Sequence, residues 1–240
     1  ADAASVARLA VALGKRRALF DAWKERLTPR GITLSFPTGL AIEGAYVEQL
    51  RPLVPAAELA SLGAIEVELG APEVQRAFDA VRGRIVASIT RHEVQHRLDF
   101  MRGEVAMPPA LEELVGPAQQ DGVERRGAVR ARAEMSAYLA ELARDQLTPG
   151  VGLTGIFRFL FDTTLQGSAE CNAAVAIAEG LAAELGVPAE PLVVEGGIAR
   201  SHAANLYVAL AAEPPNDLRE AARRLWQKSF GAPLPELTRL

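Results

Sequence analysis

Apolar residues recur at helical spacing from about residue 3 to residue 27, with Val6, Leu9, Leu13 and Phe20 among them. Pro29 and Gly31 close that segment. Ile32-Thr33-Leu34-Ser35-Phe36 then alternates apolar and polar, which predicts a short strand, and Pro37-Thr38-Gly39 predicts a turn. Alternation returns over Ala64-Ile65-Glu66-Val67-Glu68-Leu69, a second predicted strand closed by Gly70 and Pro72. A long helix is expected from Pro72 to about Met101, since proline suits a first helical turn and Gly103 supplies a stop. Pro108-Pro109, Gly116-Pro117 and Asp121-Gly122 make the stretch up to about Gly127 a loop with one short helix. Further helices are expected near 128–146, 154–165, 168–186, 198–212 and 217–229, separated by proline and glycine pairs, and no internal repeat or low-complexity segment is visible.

This order of elements predicts an α+β chain that is predominantly α-helical. A small N-terminal β-sheet would precede the long helix, and a helical lobe would follow it. Residues 1–240 are read as a single catalytic domain with two lobes, 1–105 and 106–240. Hydrophobic residues make up 49% and charged residues 23%, the balance of a folded chain rather than a disordered one. The net charge of −4 offers no basic field for nucleic acid, and Arg125-Arg126, Arg130 and Arg132 read as a solvated helix face. No apolar run is long enough to span a bilayer. The lone Cys171 sits in an alanine-rich helical stretch and reads as a small buried hydrophobe. Twenty-three arginines against three lysines suggest a high-GC bacterial genome. Secretion after removal of a signal and a cytoplasmic location both stay open.

The chemistry concentrates in His92-Glu93-Val94-Gln95-His96. Histidines four apart on a helix lie one above the other, so both imidazoles can reach one metal ion. Glu93 stands about 100° further round the helix, where it can move a proton without ligating. The apolar positions Val74, Phe78, Val81, Ile85 and Ile89 continue in steps of three and four into His92, His96 and Asp99. One inward stripe is therefore expected to change from aliphatic to ligand-type residues.

A catalytic zinc takes a third protein ligand and keeps a position open. Glu134, in Arg132-Ala133-Glu134-Met135-Ser136-Ala137-Tyr138, is the foremost candidate, 38 positions after His96. Asp99 could instead be that ligand or orient a histidine, and Glu104, Glu112, Glu113 and Glu141 are weaker alternatives. Here the chain resembles the zincin metallopeptidases (the HExxH type), and among them the gluzincins, in which a later helix supplies a glutamate followed by a small residue such as Ala137. The metzincin pattern is not met. The resemblance implies one zinc ion per chain held by His92, His96 and Glu134, with Glu93 as general base. It also implies an oxyanion donor from the helical lobe, for which His202 and Tyr138 are candidates. Strand 64–69 would pair with an extended substrate.

The function expected is that of a zinc metallopeptidase, a hydrolase cutting a peptide or protein substrate through a metal-activated water. The alternatives are a zinc protein that binds a peptide or partner without cutting it, and a metal-free helical interaction module. Glu93 argues against the first, because a purely structural site has no use for that carboxylate.

Overall fold

The computed structural model describes residues 2–37, 39–103, 105–146 and 148–236; Thr38, part of the expected turn, and Glu104 lie outside them. Among the described residues there are ten α-helices and two hairpins of two strands each, so the chain is predominantly helical with a minor β component. It divides into two compact units, Ala1–Gly83 and Arg84–Leu240. The division falls inside the helix that carries His92, rather than near residue 105.

In the first unit, α1 (Ala3–Leu27) starts on Asp2, whose carboxylate accepts the Ser5 amide at 2.8 Å. That bond satisfies one of the amides left open at a helix start. α2 (Gly44–Leu50), α3 (Ala56–Leu69) and the beginning of α4 (Pro72–Arg102) complete the unit. Two apolar clusters form here, one around Leu9, Ile65 and Val74 and the other around Phe20, Trp23 and Leu62.

Neither expected N-terminal strand forms. Residues 64–69 lie in α3, where Leu62, Ile65 and Leu69 are buried at steps of three and four while Val67 is 78% exposed. The six-residue alternation is thus a fragment of a helical period that includes Leu62. Glu66, the polar member of that alternation, accepts the Ile42 amide at 3.0 Å. Beside it the buried Arg16 donates to the Leu40 and Gly39 carbonyls at 2.8 and 2.9 Å. These side chains give the 39–42 loop partners that a sheet would otherwise supply. Ile32–Phe36 carries no sheet partner; Tyr46 donates instead to the Ser35 carbonyl at 2.7 Å. No edge strand therefore stands at 64–69 for a substrate to extend.

The second unit contains the rest of α4, then α5 (Pro109–Val115), α6 (Arg126–Arg144), α7 (Pro149–Phe161), α8 (Ala169–Leu185), α9 (Arg200–Ala212) and α10 (Pro215–Phe230). Two hairpins, β1 (Gln119–Gln120) with β2 (Val123–Glu124) and β3 (Val193–Val194) with β4 (Gly197–Ile198), each lead into a helix. The first turns through Asp121 and Gly122 at φ 53° and 76°, the pair of positive values a tight two-residue turn requires.

α8 is the centre of this unit. Cys171, Ala174, Ile177, Ala178 and Leu181 are buried on it, and small side chains let neighbouring helices come near. A Cβ at Gly180 would meet the methyls of Leu225 of α10 at 2.7 and 2.8 Å, so the leucine side chain sits where a larger residue would need it to shift. Arg132, expected on a solvated face, is 7% exposed in α6. No helix among the described residues is long and apolar enough to cross a membrane.

Candidate metal centre

Two helices of the second unit build the site. α4 contributes Ser88, His92, Gln95 and Asp99, and α6 contributes Glu134, Tyr138 and Glu141, with Asp145 as its C-cap; the spacings within each helix are three and four. Such steps stack side chains along one face. The buried face of α4 runs through Ser88, His92 and Gln95, while Ile85 and Ile89 are exposed. The stripe expected to continue the aliphatic positions is therefore rotated, because polar partners on α6 replace apolar ones from residue 88 onward. Arg91 pairs with Asp145 at 2.5 Å, and Ser88 donates to Glu141 at 2.5 Å. Asp99 accepts from Gln95 at 2.6 Å and from Ser136 at 2.5 Å.

Within this frame the Nε2 atoms of His92 and His96 face each other at 3.0 Å, their rings nearly perpendicular. Oε2 of Glu134 lies 3.4 Å from the first and 3.9 Å from the second. One donor atom of each residue falls within 4.8 Å of the others, a grouping that could hold a metal ion. Ligands at 2.0–2.1 Å from a tetrahedral zinc stand about 3.3 Å apart, close to these spacings. Two imidazole nitrogens at that range need a proton or a cation between them, since two bare lone pairs repel. The donor set, two nitrogens and one carboxylate oxygen, also suits zinc.

Exposure rises across the cluster. The His92 side chain is 11% exposed, that of Glu134 14% and that of His96 29%, and Glu93 is exposed outright. The cluster is thus most open on the side of His96, and Glu93 is exposed one position along α4 from His92.

Within the cluster, His92 and Glu134 hold each other in their charged forms. Burial lowers the His92 pKa, but Glu134 and Glu141 on its two nitrogens outweigh that and raise it to about 9. Burial raises the Glu134 pKa, yet His92, His96 and Arg130 bring it below the ordinary carboxylate value. Arg130 stands 3.9 Å from the other Glu134 oxygen and pairs with Glu170. The Tyr138 ring packs against His92 with centroids 4.4 Å apart. Burial, with Glu134 and Glu141 nearby, raises its phenol pKa, so it keeps its proton.

The alternative carboxylates stand elsewhere. Asp99 accepts from Gln95 and Ser136 and so ties α4 to α6, and it is not among the donors that converge with the two histidines. Glu112 and Glu113 are exposed on α5. Glu141 lies on the other nitrogen of His92, with Oε2 3.4 Å from Nδ1, within ion-pair reach but without the alignment of a hydrogen bond. His202, on α9, has Nδ1 2.9 Å from the Pro191 carbonyl and Nε2 3.2 Å from Glu190. Its ring nitrogens are directed to the loop before β3, and no contact joins it to His92, His96 or Glu134.

Sequence reasoning missed Ser88 and the place of Glu141 behind His92. The signal was present: Glu134, Tyr138 and Glu141 share one helical face, an unusual run of polar groups in a helix otherwise rich in buried alanine and leucine. No protein-family model, curated protein or solved structure matches the chain.

Proposed function

We propose that the protein is a zinc-dependent metallopeptidase in which His92, His96 and Glu134 hold the metal and Glu93 moves the proton. The observation that carries this reading is the convergence of three donor atoms at 3.0, 3.4 and 3.9 Å, with an exposed carboxylate one residue from the first of them. Zinc bound there would act as a Lewis acid and lower the pKa of water towards about 7.

The chain supplies the remaining chemistry. The Glu93 carboxylate takes a proton from the attacking water and delivers it to the departing amine nitrogen. Glu141 faces Nδ1 of His92 and so favours the tautomer whose Nε2 lone pair points at the centre. Tyr138, whose ring packs against His92, is the donor best supported for the oxyanion that forms as the carbonyl is attacked. His202 has less support for that role, because its nitrogens face Pro191 and Glu190.

The test pairs zinc content with cleavage of an unfolded protein such as casein. Wild type should carry one zinc per chain and cleave; Glu93→Gln should keep the zinc and lose cleavage. Zinc retained in both with no cleavage by wild type would favour a non-catalytic zinc protein. No zinc in either after supplementation would leave only the scaffold.

A further inference from the structure

Thirteen large apolar side chains are exposed among the described residues, and five of them, Ile85, Val86, Ile89, Phe100 and Met101, lie on α4 within eight residues of Glu93. Exposed apolar residues scattered singly need no explanation, whereas a concentration on one element marks a contact surface. Phe100 and Met101 are 89% and 80% exposed.

Their direction is informative. At about 100° per residue, Val86 and Phe100 point within about 20° of Glu93 around the helix axis, and Ile89 within about 40°. Ile85 and Met101 lie about 80° to either side. At about 1.5 Å per residue, Ile89 stands about 6 Å before Glu93 along the axis and Phe100 about 10 Å after it. The strip thus flanks Glu93 along α4 in both directions.

On the peptidase reading, a chain whose carbonyl is attacked beside Glu93 passes over the helix face that bears Glu93. An extended chain advances about 3.3 Å per residue. The strip would then meet side chains about two residues from the scissile bond on one side and about three on the other.

We propose that Val86, Ile89 and Phe100 form the binding surface for the substrate backbone's neighbours, and that the substrate class is an unfolded polypeptide with apolar side chains on both sides of the cut. This rests on the peptidase reading above. Affinity would come from apolar area covered on α4.

The experiment uses the full chain loaded with zinc and two fluorescent peptides, one with leucine and phenylalanine on both sides of a central bond and one with serine and glycine there. Binding is measured by anisotropy to Glu93→Gln, and cleavage is measured with wild type. The apolar peptide should bind at least about tenfold more tightly. Ile89→Asp and Phe100→Asp, checked for retained helicity and zinc, should each remove that preference. In otherwise wild-type protein they should lower kcat/KM for the apolar peptide mainly through KM.

Equal binding of the two peptides, or a preference that survives both substitutions, overturns the proposal. Strip-dependent binding without any cleavage by wild type keeps the surface and overturns the peptidase reading. Cleavage indifferent to the strip does the reverse. A concentration-dependent dimer abolished by the same substitutions would seat a second copy on the strip and overturn the substrate assignment.

Discussion

Oε2 of Glu141 lies 3.4 Å from Nδ1 of His92, while Ser88 donates to its other oxygen at 2.5 Å. Carboxylates in this position fix a ligand's ring and raise its basicity, and losing one typically costs about 10–100-fold in metal affinity. Glu141→Gln should weaken zinc binding by about that factor, measured by competition with a chromophoric chelator. Ser88→Ala should have a smaller effect in the same direction. A Gln variant that holds zinc as tightly as wild type would remove Glu141 from any part in supporting the ligand.

His96→Ala removes one of the three donors and should abolish stoichiometric zinc. In wild type, free zinc at a hundred times its Kd should stabilise the second unit by about 2.7 kcal/mol, because a ligand that binds only the folded state adds RT ln(1 + [L]/Kd). Denaturation with and without a chelator checks this. His96→Ala should show no such difference.

Tyr138→Phe keeps the ring against His92 and removes only the hydroxyl. It should retain zinc and lower kcat by about 10²-fold, the scale of a lost oxyanion donor, with KM little changed. His202→Ala should leave kcat near the wild-type value. Steady-state kinetics on one peptide separates the two, and the opposite ranking would reassign the donor.

Much of this was legible in the chain because helical period and cap chemistry are local. α1, α4, α6, α8, α9 and α10 all begin within two residues of where the pattern predicts. The motif histidines and Glu134 were readable from spacing and residue type. α3 was not, because Ile65, Val67 and Leu69 imitate a strand over six residues and only Leu62 breaks the alternation. The rotation of the buried face of α4 depends on what α6 presents to it, so it is tertiary information that no window on α4 contains. The direction of His202 depends in the same way on where the loop before β3 lies.

Glycines in helices offer a pair of opposite outcomes. Gly180→Ala would bring a Cβ to 2.7 Å from a methyl of the buried Leu225, and displacing that side chain costs about 1–3 kcal/mol, offset in part by alanine's helix propensity. A Cβ at Gly155 in α7 meets nothing within 4 Å, so Gly155→Ala should gain up to about 1 kcal/mol of helix propensity. Urea unfolding should show a negative sign for the first and a positive one for the second.

In the first unit, Arg26 and Trp23 both donate to Glu58, and the Arg26 hydrogen bond is the main cause that lowers its carboxyl pKa. A lowered folded-state pKa contributes stability above the unfolded value of 4.5 that disappears as pH falls through the folded one. Glu58→Gln should therefore be less stable than wild type at neutral pH, and the gap should close on acidification. A gap constant from pH 7 to pH 3 would assign the loss to packing.

Cys171 is buried in α8, burial raises its thiol pKa, and the first unit contains no cysteine. A thiol-reactive dye will consequently stay off the intact protein and attach only when the helices around α8 come apart. Its rate of attachment is a clock for opening of the unit that carries His92, His96 and Glu134, readable without any engineered label, and adding or withdrawing zinc should slow or quicken it.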